Sequence, residues 1–455
     1  MFSLIPSIET WSIGRSTVVL AAVLALATFD LSQRVRHRKT HYVFAALFGT
    51  ILSVGLIKTS SVLLQPGLQD NPHIMALGIL LVVLAWKALF GPWETQTKAA
   101  VLGTFLFWIT FNILLHDAPE ERNVRLVASG VALLPAIVWC ILFLRYHQER
   151  LSSVVLMFFS GMLATVPILF YDTLVRRGVE LQFFVFKLTP ESFNSTSQNF
   201  IAGQTAGVGM QSALLASLLS FVIVGVIEET SKSWVVHKSG MRAFTSIDDA
   251  LQLSIIVAIG FAFAENIVNP VYFTGFVREY LLDAKTRDVV AFITNVLGRS
   301  VLTSMVHIVS TGVMGYFLGL AVFAGPYLVD SRERGGMSFV AGTIHRLLRL
   351  PEESVFRTEM LIMGLGSAIL LHSVFNFLVT LPDLLPSHPQ TLGQLLGFGD
   401  GSMLGHVPLL LLPSLFYVVG GFWLLTELTL RKENMKERGV LLPTETFVAQ
   451  VPIEA

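Results

Sequence analysis

One cysteine in 455 residues, Cys140 inside an apolar run, leaves no disulfide framework and no cysteine zinc cluster to consider. Charge is scarce as well: only 14% of residues are charged, and 31 lysines and arginines balance 31 aspartates and glutamates. That balance removes the basic excess by which nucleic-acid binders are recognised, so no nucleic-acid partner is expected. No internal repeat and no low-complexity segment is evident, and the missing inverted repeat counts against a transporter. No Gly-x-Ser-x-Gly element falls within an apolar span, which disfavours a serine nucleophile.

Long hydrophobic runs are what the chain has in abundance. Hydrophobic residues make up 53% of it and the mean hydropathy is +0.68, well above that of a soluble domain of this size. The fold class expected is all-α: a polytopic transmembrane helical bundle, integral and multi-pass, in the cell membrane. Runs of about 18 or more apolar residues place spans near 13–31, 41–64, 74–94, 98–115, 124–145, 151–171, 209–235, 247–268, 290–328, 359–380 and 406–430, about eleven in all. Basic residues cluster after the first, fifth, seventh, ninth and eleventh of these: Arg34 to Lys39, Arg145 and Arg150, Lys232, Lys238 and Arg242, Arg332 to Arg349, Arg431 to Arg438. By the positive-inside rule the amino terminus is then outside and the carboxyl terminus cytoplasmic. The chain divides into an amino-terminal six-helix region (1–172), an external loop (173–208), a helical core (209–380) and a last loop, final helix and tail (381–455). The external loop carries the sequon Asn194-Ser195-Thr196, and the inner loop an arginine- and leucine-rich stretch, Ile344 to Leu350, with the pattern of a short helix on the membrane surface.

Within the core, four consecutive spans carry polar groups in apolar surroundings, where ionisable residues cost about 2.5–3.5 kcal/mol each and mark a site by default. Around Glu228 the chain reads Val226-Ile227-Glu228-Glu229-Thr230-Ser231-Lys232. Glu228 and Lys232 share a helix face at i, i+4, and Glu229 points about 100° away, so one glutamate at most faces a given cavity squarely. The next span holds Gly260-Phe261-Ala262-Phe263-Ala264-Glu265-Asn266, in which the acid needs a partner from Asn266 or from another helix. His307 follows, with Arg299 two turns earlier, and then His372 and Asn376, aligned at i, i+4 on one apolar helix. A histidine and an amide so aligned present two hydrogen-bond donors to one point, as an oxyanion requires. A carboxylate base, two imidazoles and an amide donor are the groups hydrolysis uses.

The combination Glu228-Glu229-x-x-Lys232, Gly260-Phe-Ala-Phe-Ala-Glu265-Asn266, a mid-helix His307 and His372-x-x-x-Asn376 resembles the PrsW-type intramembrane proteases, relatives of the CAAX prenyl endopeptidases and of bacteriocin-processing membrane proteins. The resemblance covers Glu228 to Asn376; Lys232 and Glu265 stand where the CAAX branch has arginine and histidine, as in the PrsW branch. It implies an intramembrane endopeptidase acting on a membrane protein or peptide. Glu228 or Glu229 would activate water, the histidines and Asn376 would stabilise the carbonyl oxygen, and Glu265 would complete the catalytic set. Lys232, Asn266 and Arg299 would support it. This mechanism needs no cofactor. A zinc variant, held by Glu265, His307 and His372, ranks second because no His-Glu-x-x-His helix accompanies it. Three other readings stay open: a scaffold or receptor that keeps the fold without the activity, a proton- or ion-coupled transporter, and a paired-aspartate protease using Asp172 and Asp400. A depth mismatch attends the main reading. If the seventh span ends near 232, Glu228 lies at the cytoplasmic end while Glu265 lies near the outer end of the next helix, so either the seventh span runs past Lys238 or one of these helices is broken around a water-filled cavity.

Overall fold

The structure is a computed structural model. It describes residues 41–63, 72–176, 181–183, 186–188, 210–324 and 339–428, except 92, 146, 270–271, 283–287, 386, 399–401 and 410. The expected first span, the Asn194 sequon, Asp400 and both termini lie outside the described residues, as does the Asp172 side chain.

Helices account for nearly all of it, in the order α1 (His41–Leu63), α2 (Pro72–Leu89), α3 (Thr95–His116), α4 (Pro119–Leu144), α5 (Leu151–Leu163), α6 (Val166–Arg176), α7 (Met210–Gly240), α8 (Ile247–Val268), α9 (Phe273–Leu282) and α10 (Val289–Gly298). A π-helical turn, Arg299–Thr303, leads into α11 (Ser304–Val322), followed by α12 (Phe339–Leu348), α13 (Glu352–Leu384), α14 (Leu392–Leu396) and α15 (Leu411–Leu415), which continues as a second π-turn, Phe416–Gly420. The expected external loop departs from the all-α pattern in one detail, a two-stranded antiparallel hairpin of β1 (Leu181–Phe183) and β2 (Phe186–Leu188). The surface stretch expected near Ile344 is helical within α12, with Leu347 fully presented to the outside at 78% exposure.

Seven helical segments among the described residues are long and apolar enough to cross a membrane: Thr95–Leu115, Pro119–Leu144, Leu151–Tyr171, Ile247–Leu282, Val289–Val322, Glu352–Pro382 and Leu411–Leu428. The protein is therefore an integral, multi-pass membrane protein. These correspond to seven of the eleven expected spans; the first expected span lies outside the described residues. Of the other expected spans, α1 keeps only a shorter apolar stretch, Ala45–Ile57, α2 has 18 residues and ends on Lys87 in its last turn, and α7 carries Glu228, Glu229 and Lys232 in its interior.

The chain forms two compact units: Met1–Leu134 with Arg150–Ser160 and Asn266–Thr294, and Pro135–Glu149 with Gly161–Glu265 and Asn295–Ala455. In the first, α1 lies against α3, close enough that a Cβ at Gly49 would stand 2.6 Å from the Val101 carbonyl. Arg278 grips Glu121 with two hydrogen bonds of 3.0 and 2.6 Å. The second unit holds the polar groups singled out above, Asn266 excepted. Its centre is α11, packed on α13, which in turn packs on α7. Small residues make these approaches: a Cβ on Gly225 would come 2.5 Å from Ser373 Oγ, and one on Gly364 would come 2.7 Å from the Phe317 side chain. Close backbones are how helices associate where lipid supplies no hydrophobic drive between them.

The length of α7 removes the depth mismatch. At about 1.5 Å per residue its 31 residues extend about 46 Å, and Glu228 lies about 18 Å from its end at Gly240. The short turn 241–246 then starts α8, on which Glu265 stands about 27 Å from Ile247. A single imidazole bridges the remaining step.

Candidate active site

That imidazole is His307, 2% exposed on α11. Its Nδ1 lies 3.9 Å from Glu228 Oε2 and 2.9 Å from Lys232 Nζ, and its Nε2 lies 3.1 Å from Glu265 Oε2. An ammonium has protons to donate and no lone pair, so Nδ1 accepts from Lys232 and Nε2–H donates to Glu265. Arg299 adds a second donor to Glu265, Nη2 to Oε1 at 3.4 Å, from the π-turn that precedes α11. Glu265 therefore takes its partners from the histidine and the arginine of the following span.

On α13, His372 is equally buried and meets His307 edge to face, ring centroids 5.0 Å apart at 77°. Its Nδ1 is 2.7 Å from Glu229 Oε1, so Nδ1–H donates and the lone pair falls on Nε2. Nε2 faces Glu228 Oε2 at 3.5 Å. The tautomers of both histidines thus follow from their carboxylate partners, Glu265 for one and Glu229 for the other.

The two adjacent glutamates differ sharply in what surrounds them. Glu229, fully enclosed, receives three donors: Lys232 Nζ at 2.7 Å, His372 Nδ1 at 2.7 Å and Thr311 Oγ1 at 3.0 Å. Glu228 Oε2 is enclosed too and has no hydrogen bond. Lys232 Nζ lies 3.7 Å from it, with its ammonium over the Phe261 ring, 4.1 Å from the centroid. The sequence left open how the two glutamates divide; Glu229 is held by three hydrogen bonds, and Glu228 Oε2 lies unbonded near both imidazoles.

Asn376 lies one turn beyond His372 on α13, half-buried. Among the described residues no hydrogen bond or ion pair joins its side chain to the cluster. Asn266 is buried one residue beyond Glu265. Thr311 is the participant the sequence reading missed. It follows His307 by four residues and so shares its helix face, a spacing that would have flagged it. Phe261 was seen as part of a motif and not as the floor beneath Lys232.

One carboxylate oxygen and one nitrogen from each imidazole, on Glu228, His307 and His372, lie within 4.8 Å of one another, all buried. This carboxylate differs from the Glu265 of the expected zinc set, because Glu265 meets the far nitrogen of His307. The donor chemistry fits a divalent cation. Glu228 Oε2 and His372 Nε2 face each other at 3.5 Å with no hydrogen bond to Oε2, and each histidine is held from behind by a carboxylate, the usual outer support of a metal-bound imidazole. On the third ligand, His307 Nδ1, the Lys232 ammonium is the resident cation.

A membrane helical bundle with a buried Glu/His/His cluster is the class these features define. The family model of the PrsW family intramembrane metalloproteases matches residues 149–398, more than half of the chain, and the chain belongs to that family. No curated protein and no solved structure matches it.

Proposed function

We propose that the protein is an intramembrane endopeptidase whose water-activating centre is Glu228 with His307 and His372. The observation that carries this reading is the orphaned Glu228 Oε2, desolvated yet unbonded, 3.5 and 3.9 Å from two oriented imidazoles. A buried carboxylate oxygen with no hydrogen bond is costly, even with the Lys232 ammonium 3.7 Å away, and is retained where chemistry uses it.

Glu228, His307 and His372 would hold the metal that the family description names, and such an ion, when bound, lowers the pKa of water and polarises a carbonyl. The remaining roles belong to the chain itself. Glu229 holds His372 with Nε2 turned to the cavity, and Thr311 and Lys232 fix Glu229. Glu265 holds His307 in the same way, and Arg299 fixes Glu265. With no ion bound, Glu228 would itself take the proton from the attacking water and hand it to the leaving amine. Asn376, on the His372 face, supplies a donor to the developing oxyanion, a contribution worth about 2.7–4 kcal/mol in other hydrolases. The substrate is a membrane-anchored protein or peptide, because the centre is enclosed by spanning helices.

The test is cleavage in membranes. A cell expressing Glu228→Ala or His372→Ala should accumulate the uncleaved form of a membrane protein that the unaltered chain processes, at equal expression, and a zinc chelator should reproduce the effect. Unchanged processing in both variants overturns the proposal and leaves the scaffold reading; solute-dependent flux abolished by Glu228→Ala would point to a transporter.

A further inference from the structure

A second constellation stands well away from the active centre, where the segment following α4 meets the start of α8. His147 Nε2 lies 2.6 Å from Asp249 Oδ1 and 4.0 Å from Glu149 Oε1, and the three ligand atoms lie within 4.8 Å of one another. One nitrogen thus faces two carboxylates, whose side chains are only 6% and 8% exposed, while the histidine at 37% leaves an entry from solvent.

The supports behind these ligands are already in place. Ser246 and Asp249 form a reciprocal capping box at the start of α8: Asp249 N–H donates to Ser246 Oγ at 3.2 Å, and Asp249 Oδ2 accepts from Ser246 N–H at 3.0 Å. Oδ2 also takes the Thr245 amide at 2.6 Å and hydroxyl at 2.5 Å. With Oδ2 saturated, the carboxylate cannot turn, and Oδ1 is aimed at His147. The backbone of His147 is pinned as well, its carbonyl accepting from Gln252 Nε2 at 2.5 Å.

We infer that His147, Glu149 and Asp249 form a second divalent-cation site, suited to a transition ion such as Zn²⁺, which clamps the segment after α4 to the helix that carries Glu265. One imidazole and two carboxylates match the donor preference of such ions, and three protein ligands leave room for water. With bonds of about 2.0–2.2 Å, ligand atoms around a tetrahedral zinc stand about 3.3–3.6 Å apart. The His147–Asp249 contact therefore opens by about 1 Å and Glu149 closes by about half that, within the reach of side-chain rotation. The inference is independent of the proposed activity.

The experiment uses the full chain in lipid nanodiscs, affinity tag removed and metal stripped, titrated with Zn²⁺ against a chelating dye in excess Mg²⁺. In a His372→Ala background, which disables the other centre, one Zn²⁺ per chain should remain. His147→Ala and Glu149→Gln, which leave Ser246 and Asp249 in place, should each weaken that ion at least tenfold, and Gln148→Ala should leave it unchanged. Absence of Zn²⁺ from the His372→Ala chain, or binding indifferent to both ligand variants, overturns the inference. Should the unaltered chain bind the same single equivalent as His372→Ala, the active centre loses its metal and the second site stands.

Discussion

Glu229→Gln should be far more destabilising than Glu228→Gln, although the two residues are neighbours in sequence and both buried. The three groups around Glu229, Lys232 Nζ, His372 Nδ1 and Thr311 Oγ1, are all donors at 2.7–3.0 Å. An amide at this position turns its own NH2 toward one of them and strands Lys232, which has no solvent exposure, beside an uncharged partner. Removing one member of such a buried pair costs about 3–5 kcal/mol. Glu228 Oε2 accepts nothing, so neutralising it forfeits only longer-range attraction to Lys232 at 3.7 Å and relieves the desolvation of an unbonded charge; the net change should stay below about 1.5 kcal/mol. Reversible unfolding in mixed micelles reads both values without any knowledge of the substrate. The double variant Glu229→Gln/Lys232→Met removes both charges, so it should lose less than the sum of the singles by about 0.5–3 kcal/mol. Equal losses at positions 228 and 229, or strictly additive losses in the double variant, would refute the assignment of one glutamate to the scaffold and the other to the cavity.

Lys232→Met alone should unfold more easily yet bind Zn²⁺ at the active centre at least tenfold more tightly, because His307 Nδ1 no longer accepts from the ammonium; chelator competition in nanodiscs measures it. Gly225→Val should separate α7 from α13, given the 2.5 Å approach to Ser373 Oγ, costing about 1–3 kcal/mol of stability and most of the cleavage activity, as followed by unfolding and by processing assays. Thr311→Val should cost about 1.5–3 kcal/mol, the value of a hydrogen bond to a charged group, and raise no new activity. In the metal-free protein the Asp249 hydrogen bond, helped by the charges of Asp248 and Glu149 and opposed by burial, raises the pKa of His147 above its ordinary value of about 6.5. A raised folded-state pKa means stability that is complete below about pH 6.5 and is lost as pH climbs through the raised value. Thermal unfolding in EDTA should show that fall, and His147→Gln should flatten it.

The sequence by itself determined the environment and the cast. Long apolar runs require helices, because a backbone in lipid must satisfy its own hydrogen bonds, and the few ionisable groups inside those runs stand out because each is costly there. Glu228, Glu229, Lys232, Glu265, Arg299, His307 and His372 were all legible on that ground, as was the family. Periodicity also placed Glu228 and Glu229 on different faces. Which of them is bound up in hydrogen bonds depends on what α11 and α13 present to each face, and only the tertiary structure decided it: Thr311 and His372 close on Glu229, while Glu228 Oε2 stays unbonded 3.5 and 3.9 Å from the two imidazoles. The same holds for Glu265, which looked like a metal ligand beside two histidines and instead orients the far nitrogen of one. His147 and Asp249 carried no signal at all, being about a hundred residues apart and ordinary in their own segments. Membrane burial is written in composition, whereas the convergence of side chains is set by helix lengths, close glycine contacts and a π-turn, none of which a one-dimensional pattern resolves.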